Sequence, residues 1–521
     1  MAKLNLNTKI DVIIAAAGSG ERMRAVNSEI HKALLPYKAK PILWYIVNSV
    51  PESQKIGFLL GYNATQIKDF LQISFPNRHF TFIYVDDWTS EKSGTGYSLL
   101  AAKEYTKKSF WYFPCDGIIN DLITDSSFES EFDQIYVQET NGDEASNYAW
   151  YPVLITDRKV KKFKEPTEDE KVLAFTGVMR IKNAQNFFSR LEASKSNEFI
   201  PAISETSELV EVFSWQDFGS PEKYNSALDE SEDFNFSKRN EITYELPTTI
   251  VKWWSDTQIP LQKLSKPKAS PGIFPPEVSI LGSYLYYKKV PGASFYEGVT
   301  PALFSSLLDY LGDKLWVHSD TQINKDAKDF YESKSNERLT KMLAQGLGNL
   351  AGVTNINGLS VGRWEDHWQT FDFKAIVENA FTSRIHGDLQ FDNVIYDSEL
   401  NRFCLIDWRP NFGAQEILGD IYYDFAKLLG GIRLNYSQIK KNNFEFSFTD
   451  TDKVSFKIPS APNSKELEQV LERYVESNGY DFSRVKSLVP LIYLNMAPLH
   501  EPPFREILWS LFLVGSREFL K

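Results

Sequence analysis

The sequence is poor in the features that would make it secreted, metal-clustered or membrane-spanning. Only two cysteines, Cys115 and Cys404, occur in 521 residues, which excludes a disulfide framework and a cysteine metal cluster and fits a reducing cytoplasm. No run of about 18 apolar residues is found. The opening MAKLNLNTKIDVIIAAAGSG lacks the apolar core of a signal peptide, so a cytoplasmic protein without membrane insertion is expected. An excess of positive charge is also missing. The formal net charge of −12 has the wrong sign for a nucleic-acid partner, although a small anionic substrate needs only a local cluster of cations. What remains is 42% hydrophobic, 24% charged and 14% aromatic, the composition of a folded protein.

At this length two or more domains are expected. IDVIIAAAGSGERMR reads as a buried strand, Val12 to Ala16, that breaks into a glycine-rich turn. KIGFLLGY, FTFIYVDDW and SFWYFPCD are further short strands, and KPILWYIVNSV and GTGYSLLAAKEYT have helical patterns between them. That alternation predicts an α/β domain over residues 1–230 with a mixed, mostly parallel sheet. The acidic, aperiodic stretch DESEDFNFSKRNE suggests a linker at 231–240. A strand-rich small lobe at about 241–292 and a larger, mainly helical lobe at about 293–521 are expected beyond it.

In AAAGSGERM, Gly18 and Gly20 can bring backbone N–H groups against phosphates without a Cβ in the way, and Arg22 adds a charged fork. Glycines after a strand are common, but Lys32 in HKALLPYKAKPIL makes the combination rare. Gly18, Gly20, Arg22, Met23, Lys32, Leu34, Leu35, Pro36, Lys40 and Pro41 match the pattern of the sugar nucleotidyltransferases, which the chain resembles over residues 10–228, and a Rossmann-like fold is implied. The resemblance implies that Ala16, Gly18, Ser19, Gly20, Gly94 and Thr95 contact the NTP and that Arg22 and Lys32 steady the reacting phosphate. It also implies that Asp116 and Asp217 hold Mg²⁺, and that Lys164, Glu165 and Gly177 receive the sugar phosphate. Where the family usually has E-K-P, this chain has Lys164-Glu165-Pro166. UTP, CTP and dTTP are all left open as the nucleotide.

The segment SRIHGDLQFDNVIYDSELNRFCLIDWRP places His386, Asp388, Asn393 and Asp407 at the spacing of a kinase catalytic loop and its metal-binding aspartate. Asp388 would take the proton of a substrate hydroxyl, and Asn393 and Asp407 would hold the Mg²⁺ ions that bridge ATP phosphates. The variant HGD…N…D resembles the aminoglycoside phosphotransferase and choline kinase group, which implies a two-lobed, protein-kinase-like α+β domain. Lys252 in TTIVKWW sits where that group's ATP-binding lysine is expected, and YLYYKKVPG, with Tyr287, resembles its hinge. Asp420 and Asp424 are expected either to tie down the catalytic loop or to cap a helix. Trp364, Trp368 and Trp408 could form an aromatic cage or simply pack.

Together these readings suggest a bifunctional enzyme. A kinase would phosphorylate a small alcohol, first choice a sugar at its anomeric hydroxyl, and a nucleotidyltransferase would convert the product to an NDP-sugar for surface polysaccharide. Two other readings remain open here: a choline or amino-alcohol kinase fused to a phosphocholine cytidylyltransferase, and a chain in which one domain is catalytically dead and serves as a binding module.

Overall fold

A computed structural model of the protein describes residues 9–86, 88, 94–119, 131–140, 151–155, 159–164, 172–194, 199–204, 206–229 and 239–519. The apolar run IDVIIAA forms the strand Ile10–Ala16. It pairs in parallel on both sides, with Ile56–Leu60 and Thr106–Pro114, which is why it reads as a continuous apolar run rather than an alternating one. These strands lie in a nine-stranded sheet, where Phe80–Tyr84 extends the parallel side beyond Ile56–Leu60.

The other half of the sheet corrects the expectation of a mostly parallel arrangement. Val172–Ile181 pairs antiparallel with both Thr106–Pro114 and Gln134–Thr140. Glu208–Glu211 is parallel to Gln134–Thr140, and Lys159–Lys164 is antiparallel to Tyr151–Ile155. One face of the sheet is covered by the helix Ala184–Ala193, capped by Asn183, whose Phe187 and Phe188 pack on Phe110.

Packing divides the chain elsewhere than at a single boundary near 240. One unit comprises Met1–Ser231, Lys238–Ser255 and Leu281–Tyr284, and the other Glu232–Ser237, Asp256–Ile280 and Leu285–Lys521. The hairpin Glu241–Glu245 with Thr249–Trp254 joins the first unit for a specific reason: Tyr244 is fully buried, meets Phe70 edge-on and donates a hydrogen bond to the Leu34 carbonyl at 2.5 Å. Trp254 N donates to Ser283 O at 3.1 Å, and Tyr284 Oη donates to Gln66 O at 2.9 Å, which draws 281–284 in as well.

The second unit is built on the helix Ile421–Arg433, buried on nearly every face and packed against Ser464–Ser477 and Phe482–Met496. A helix buried on nearly every side, with Asp424 and Lys427 among its buried residues, belongs at a core centre. The stretch expected to be helical holds Pro301–Lys314 and Lys334–Ala344 among its helices.

The Tyr244→Phe variant should cost about 1–2 kcal/mol, because the Leu34 carbonyl loses a buried partner. Urea unfolding of the full chain checks this, with the loss confined to the transition of the first unit if two transitions are seen.

Candidate active sites

In the first unit the sheet register assembles the site. Ala15 lies opposite Pro114 in the parallel pair, so the turns after the two strands leave the sheet side by side, at the carboxyl ends where open α/β sheets bind ligands. The first turn carries Gly18, Ser19 and Gly20. Gly20 has φ 60°, and a Cβ there would come within 3.1 Å of Lys32 Cδ. The second turn carries Asp116. Lys32 Nζ reaches Asp116 Oδ2 at 2.6 Å. Burial pulls the Lys32 ammonium down, but Asp116 overrides it and holds it above its ordinary value. Burial likewise pushes Asp116 up, and Lys32 with Arg22 brings it below the carboxylate range.

Asp217 arrives by a second register. Trp215–Asp217 pairs antiparallel with Gly117–Ile119, setting Asp217 opposite Gly117. A Cβ on Gly219 would lie 3.1 Å from Asp217 Oδ1 and 3.8 Å from Asp116 Oδ2, so the two carboxylates face one small space. Two hard oxygen donors with room for water suit Mg²⁺. Lys223 Nζ, which the sequence reading missed, sits 2.5 Å from Asp217 Oδ2. Its signal was available: it lies six residues from Asp217, in the first turns of the helix Pro221–Asp229.

The other expected residues fall around this point or outside it. Ala16 is buried at the strand end, Arg22 is exposed on the 3₁₀ turn Glu21–Ala25, and Gly94 precedes the helix Thr95–Leu100. Gly177 has φ 83°, with Pro114 Cγ 3.0 Å from the place of a Cβ. Glu165 lies outside the described residues, and of Lys164 only the backbone, in Lys159–Lys164, is described.

In the second unit a hairpin does the corresponding work. Val394–Asp397 pairs with Arg402–Leu405, Val394 opposite Leu405. The residues flanking that pair, Asn393 and Ile406, therefore meet, with Ile406 N donating to Asn393 O at 2.9 Å, and Asp407 follows with φ 57°. Asn393 spends its Nδ2 on the Asp388 carbonyl at 2.8 Å, which leaves Oδ1 as a donor atom for a cation beside Asp407. An amide oxygen and a carboxylate fit Mg²⁺.

His386 is fully buried and lowered to about 3, by burial first and the Lys266 charge second. It is therefore neutral, accepts from Asp388 N on Nδ1 at 3.2 Å and turns Nε2 to Ile406 O at 2.9 Å. Asp424 answers the question left open above by binding the loop itself: it accepts from His386 N at 2.8 Å, Gly387 N at 2.7 Å and Trp316 Nε1 at 3.1 Å. Asp420 caps its helix and also receives Arg484 at 2.9 Å and Tyr331 at 3.0 Å.

One turn beyond Asp424, Lys427 pairs with Asp388 Oδ1 at 2.6 Å. Burial acts to raise the Asp388 carboxyl, but the charge and hydrogen bond of Lys427, followed by the charge of Arg409, bring it down to about 2. Lys427 was overlooked because nothing in the local run YYDFAKLL distinguishes it from a solvated helix lysine. The helices Gln258–Lys263 and Ser265–Ala269 contain no acidic residue. They bring lysines to the loop instead: Lys266 Nζ donates to His386 O at 2.9 Å and Lys263 Nζ to Trp408 O.

Lys252 is buried on Thr249–Trp254, the strand that packs with the first unit. Tyr287 points its ring inward, 6.3 Å from that of Trp408, and burial followed by Asp407 raises its phenol. No aromatic cage forms. Trp408 is buried and bonded to Lys263 O at 2.6 Å, Trp364 packs on Trp509, and Trp368 packs on Phe371 and Phe373.

No family model matches the chain. Among curated proteins it is 25% identical over 182 residues to the bifunctional protein GlmU of Methanococcus vannielii, covering 33% of this chain and 41% of that one. It is 22% identical over 237 residues to the UTP–glucose-1-phosphate uridylyltransferase AglF of Haloferax volcanii, covering 42% of this chain and 95% of that one. The chain thus spans less than half the length of the GlmU protein it matches. Among solved structures, HddC from Yersinia pseudotuberculosis aligns at 21% identity over 42% of this chain and 99% of that one, with a TM-score of 0.35. The N-terminal region resembles sugar nucleotidyltransferases.

Replacing Asp424 by Ala leaves two catalytic-loop N–H groups and an indole N–H buried without an acceptor. Chemical denaturation should show a loss of about 3 kcal/mol or more.

Proposed function

We propose that the chain is a bifunctional enzyme that phosphorylates a small alcohol with ATP in its second unit and transfers a nucleotidyl group from an NTP to a phosphate monoester in its first. The observation that supports this reading is that each unit brings polar and charged groups of the kind phosphate chemistry uses to one place, from distant segments in the first unit and from one motif joined by a later helix in the second. These are Lys32, Asp116 and Asp217 in one unit and Asp388, Asn393, Asp407 and Lys427 in the other. The named relatives support the first half, and the Haloferax protein's name favours UTP and a sugar 1-phosphate over the other nucleotides.

In the first unit the phosphate oxygen of the sugar phosphate attacks the α-phosphorus of the NTP and pyrophosphate leaves. Gly18 to Gly20 admit the phosphates to the backbone, and Lys32 and Arg22 offset the negative charge that accumulates. Asp116 and Asp217 would hold Mg²⁺. When bound, the ion neutralises phosphate charge and orients the phosphates for in-line displacement. In the second unit Asp388 accepts the hydroxyl proton as the alcohol oxygen attacks the γ-phosphorus, and ADP leaves. Asn393 and Asp407 would hold the metal there, and His386 keeps the loop in shape without titrating.

Two substitutions separate the halves. With the full chain, Asp388→Asn should reduce ADP formation about 100-fold or more and leave pyrophosphate release from UTP and a supplied sugar 1-phosphate intact. Asp116→Asn should do the reverse. An Asp388→Asn variant as active as the wild type in ADP formation would remove the kinase and leave a binding module in its place.

A pH profile tests the role of Lys427. With Lys427→Met, burial is left to act on Asp388 with less opposition, so its carboxyl rises from about 2. The acid limb of the ADP-forming rate then moves to higher pH, and an unmoved limb would rule out Asp388 as the proton acceptor that Lys427 keeps ionised.

A further inference from the structure

Beside Asp388 the second unit collects more positive charge than its own carboxylates neutralise. The segment Lys328–Ser333 is a π-turn, a local insertion that recurs at functional sites. It is fixed to the stretch after Asp407, since Phe330 stacks on Phe412 at 4.2 Å and Asp326 accepts from Ala414 N at 2.7 Å and Gln415 Nε2 at 3.1 Å. Two cations share the Phe330 ring, with Lys334 Nζ 3.9 Å and Arg409 Cζ 4.9 Å from its centroid. Arg409 Cβ lies 2.8 Å from where a Cβ on Gly387 would stand, one residue before Asp388. Arg338, a turn beyond Lys334, has its Nε buried without a hydrogen-bond partner.

Lys427 is already paired with Asp388. Among the described residues no carboxylate is within ion-pairing distance of Lys334, Arg338 or Arg409. Burial, then the like charges of Arg409, Arg338 and Lys427, push the Lys334 ammonium well below its ordinary value. Partly buried cations crowded together with no carboxylate paired to them are unfavourable unless a ligand supplies more negative charge.

We infer that Lys334, Arg338 and Arg409 receive an oxyanion carried by the acceptor alcohol, so that the substrate phosphorylated beside Asp388 is an acidic one bearing a carboxylate or a phosphate. This rests on the kinase reading of the same site. The acceptor's hydroxyl oxygen forms the new bond to the γ-phosphorus of ATP, its proton passes to Asp388, and the bond from the γ-phosphorus to the bridging oxygen breaks to release ADP. The acceptor's own anion stays bound throughout. Lys334 and Arg338 lie on the helix Lys334–Ala344, apart in sequence from Asn393 and Asp407.

The full chain is first saturated with a non-hydrolysable ATP analogue and Mg²⁺, then titrated calorimetrically with inorganic phosphate in one arm and glucuronate in the other. At least one probe should bind saturably, and Lys334→Met or Arg338→Met should weaken it about tenfold or more while leaving the affinity for the analogue within twofold. The arm that responds identifies the oxyanion. The inference is overturned if neither probe binds in a way that these variants weaken, or if the variants weaken the analogue instead, which would assign the cations to the ATP phosphates. Failure of the kinase reading shows separately, as no analogue binding that the Asp407→Ala variant abolishes.

Discussion

An aspartate withdrawn from water stays ionised only if a cation answers it, and in each unit one lysine does so. Lys32 does it for Asp116 and Lys427 for Asp388, both at 2.6 Å. In both cases burial alone would drive the carboxyl toward its neutral form and the neighbouring ammonium reverses the outcome. The pairs also restrain each other's partners, since a lysine held by an aspartate keeps a defined position from which to meet an incoming phosphate. Much of the surrounding architecture can be understood as the means of bringing these side chains to one place.

Strand register does most of that work, through local pairings rather than long-range shape. Pro114 opposite Ala15 and Asp217 opposite Gly117 deliver the first set. Val394 opposite Leu405 delivers Asn393 and Asp407 together. Because a strand shifted by one residue turns every side chain to its other face, the apolar patterning that pins each register also pins the chemistry at the strand ends. Asp424 adds the one restraint the loop cannot supply for itself, by occupying the N–H groups of His386 and Gly387.

The groups legible in the sequence were those whose spacing is local. The glycine-rich turn, Lys32, and the run from His386 to Asp407 each lie within a few tens of residues, so their chemistry shows as a motif. Strands such as Ile10–Ala16 were legible because burial on both faces leaves an unbroken apolar run. Lys427 was not legible, because a lysine in an amphipathic stretch looks the same whether it faces water or an aspartate 39 positions away. The reversal of the sheet beside Thr106–Pro114 was hidden for a related reason: strand direction depends on how the intervening chain returns, not on the strand's own residues. The partners of Tyr244, Leu34 and Phe70, were hidden too, because they lie some 200 residues earlier and no local pattern records such a pairing.

That pairing gives the molecule a property that a string of beads would not have. Among the described residues, the first unit holds 239–255 and Leu281–Tyr284 on either side of Asp256–Ile280, which belongs to the second, so the backbone passes from one unit to the other and back. A gene cut anywhere in the acidic stretch would strip the upstream fragment of a hairpin it packs with and leave the downstream fragment exposing Tyr244 to water. Separating the halves, whether by a laboratory truncation or by recombination during evolution, therefore calls for compensating changes on both sides of the break, and this interleaving tends to keep the two units on one polypeptide.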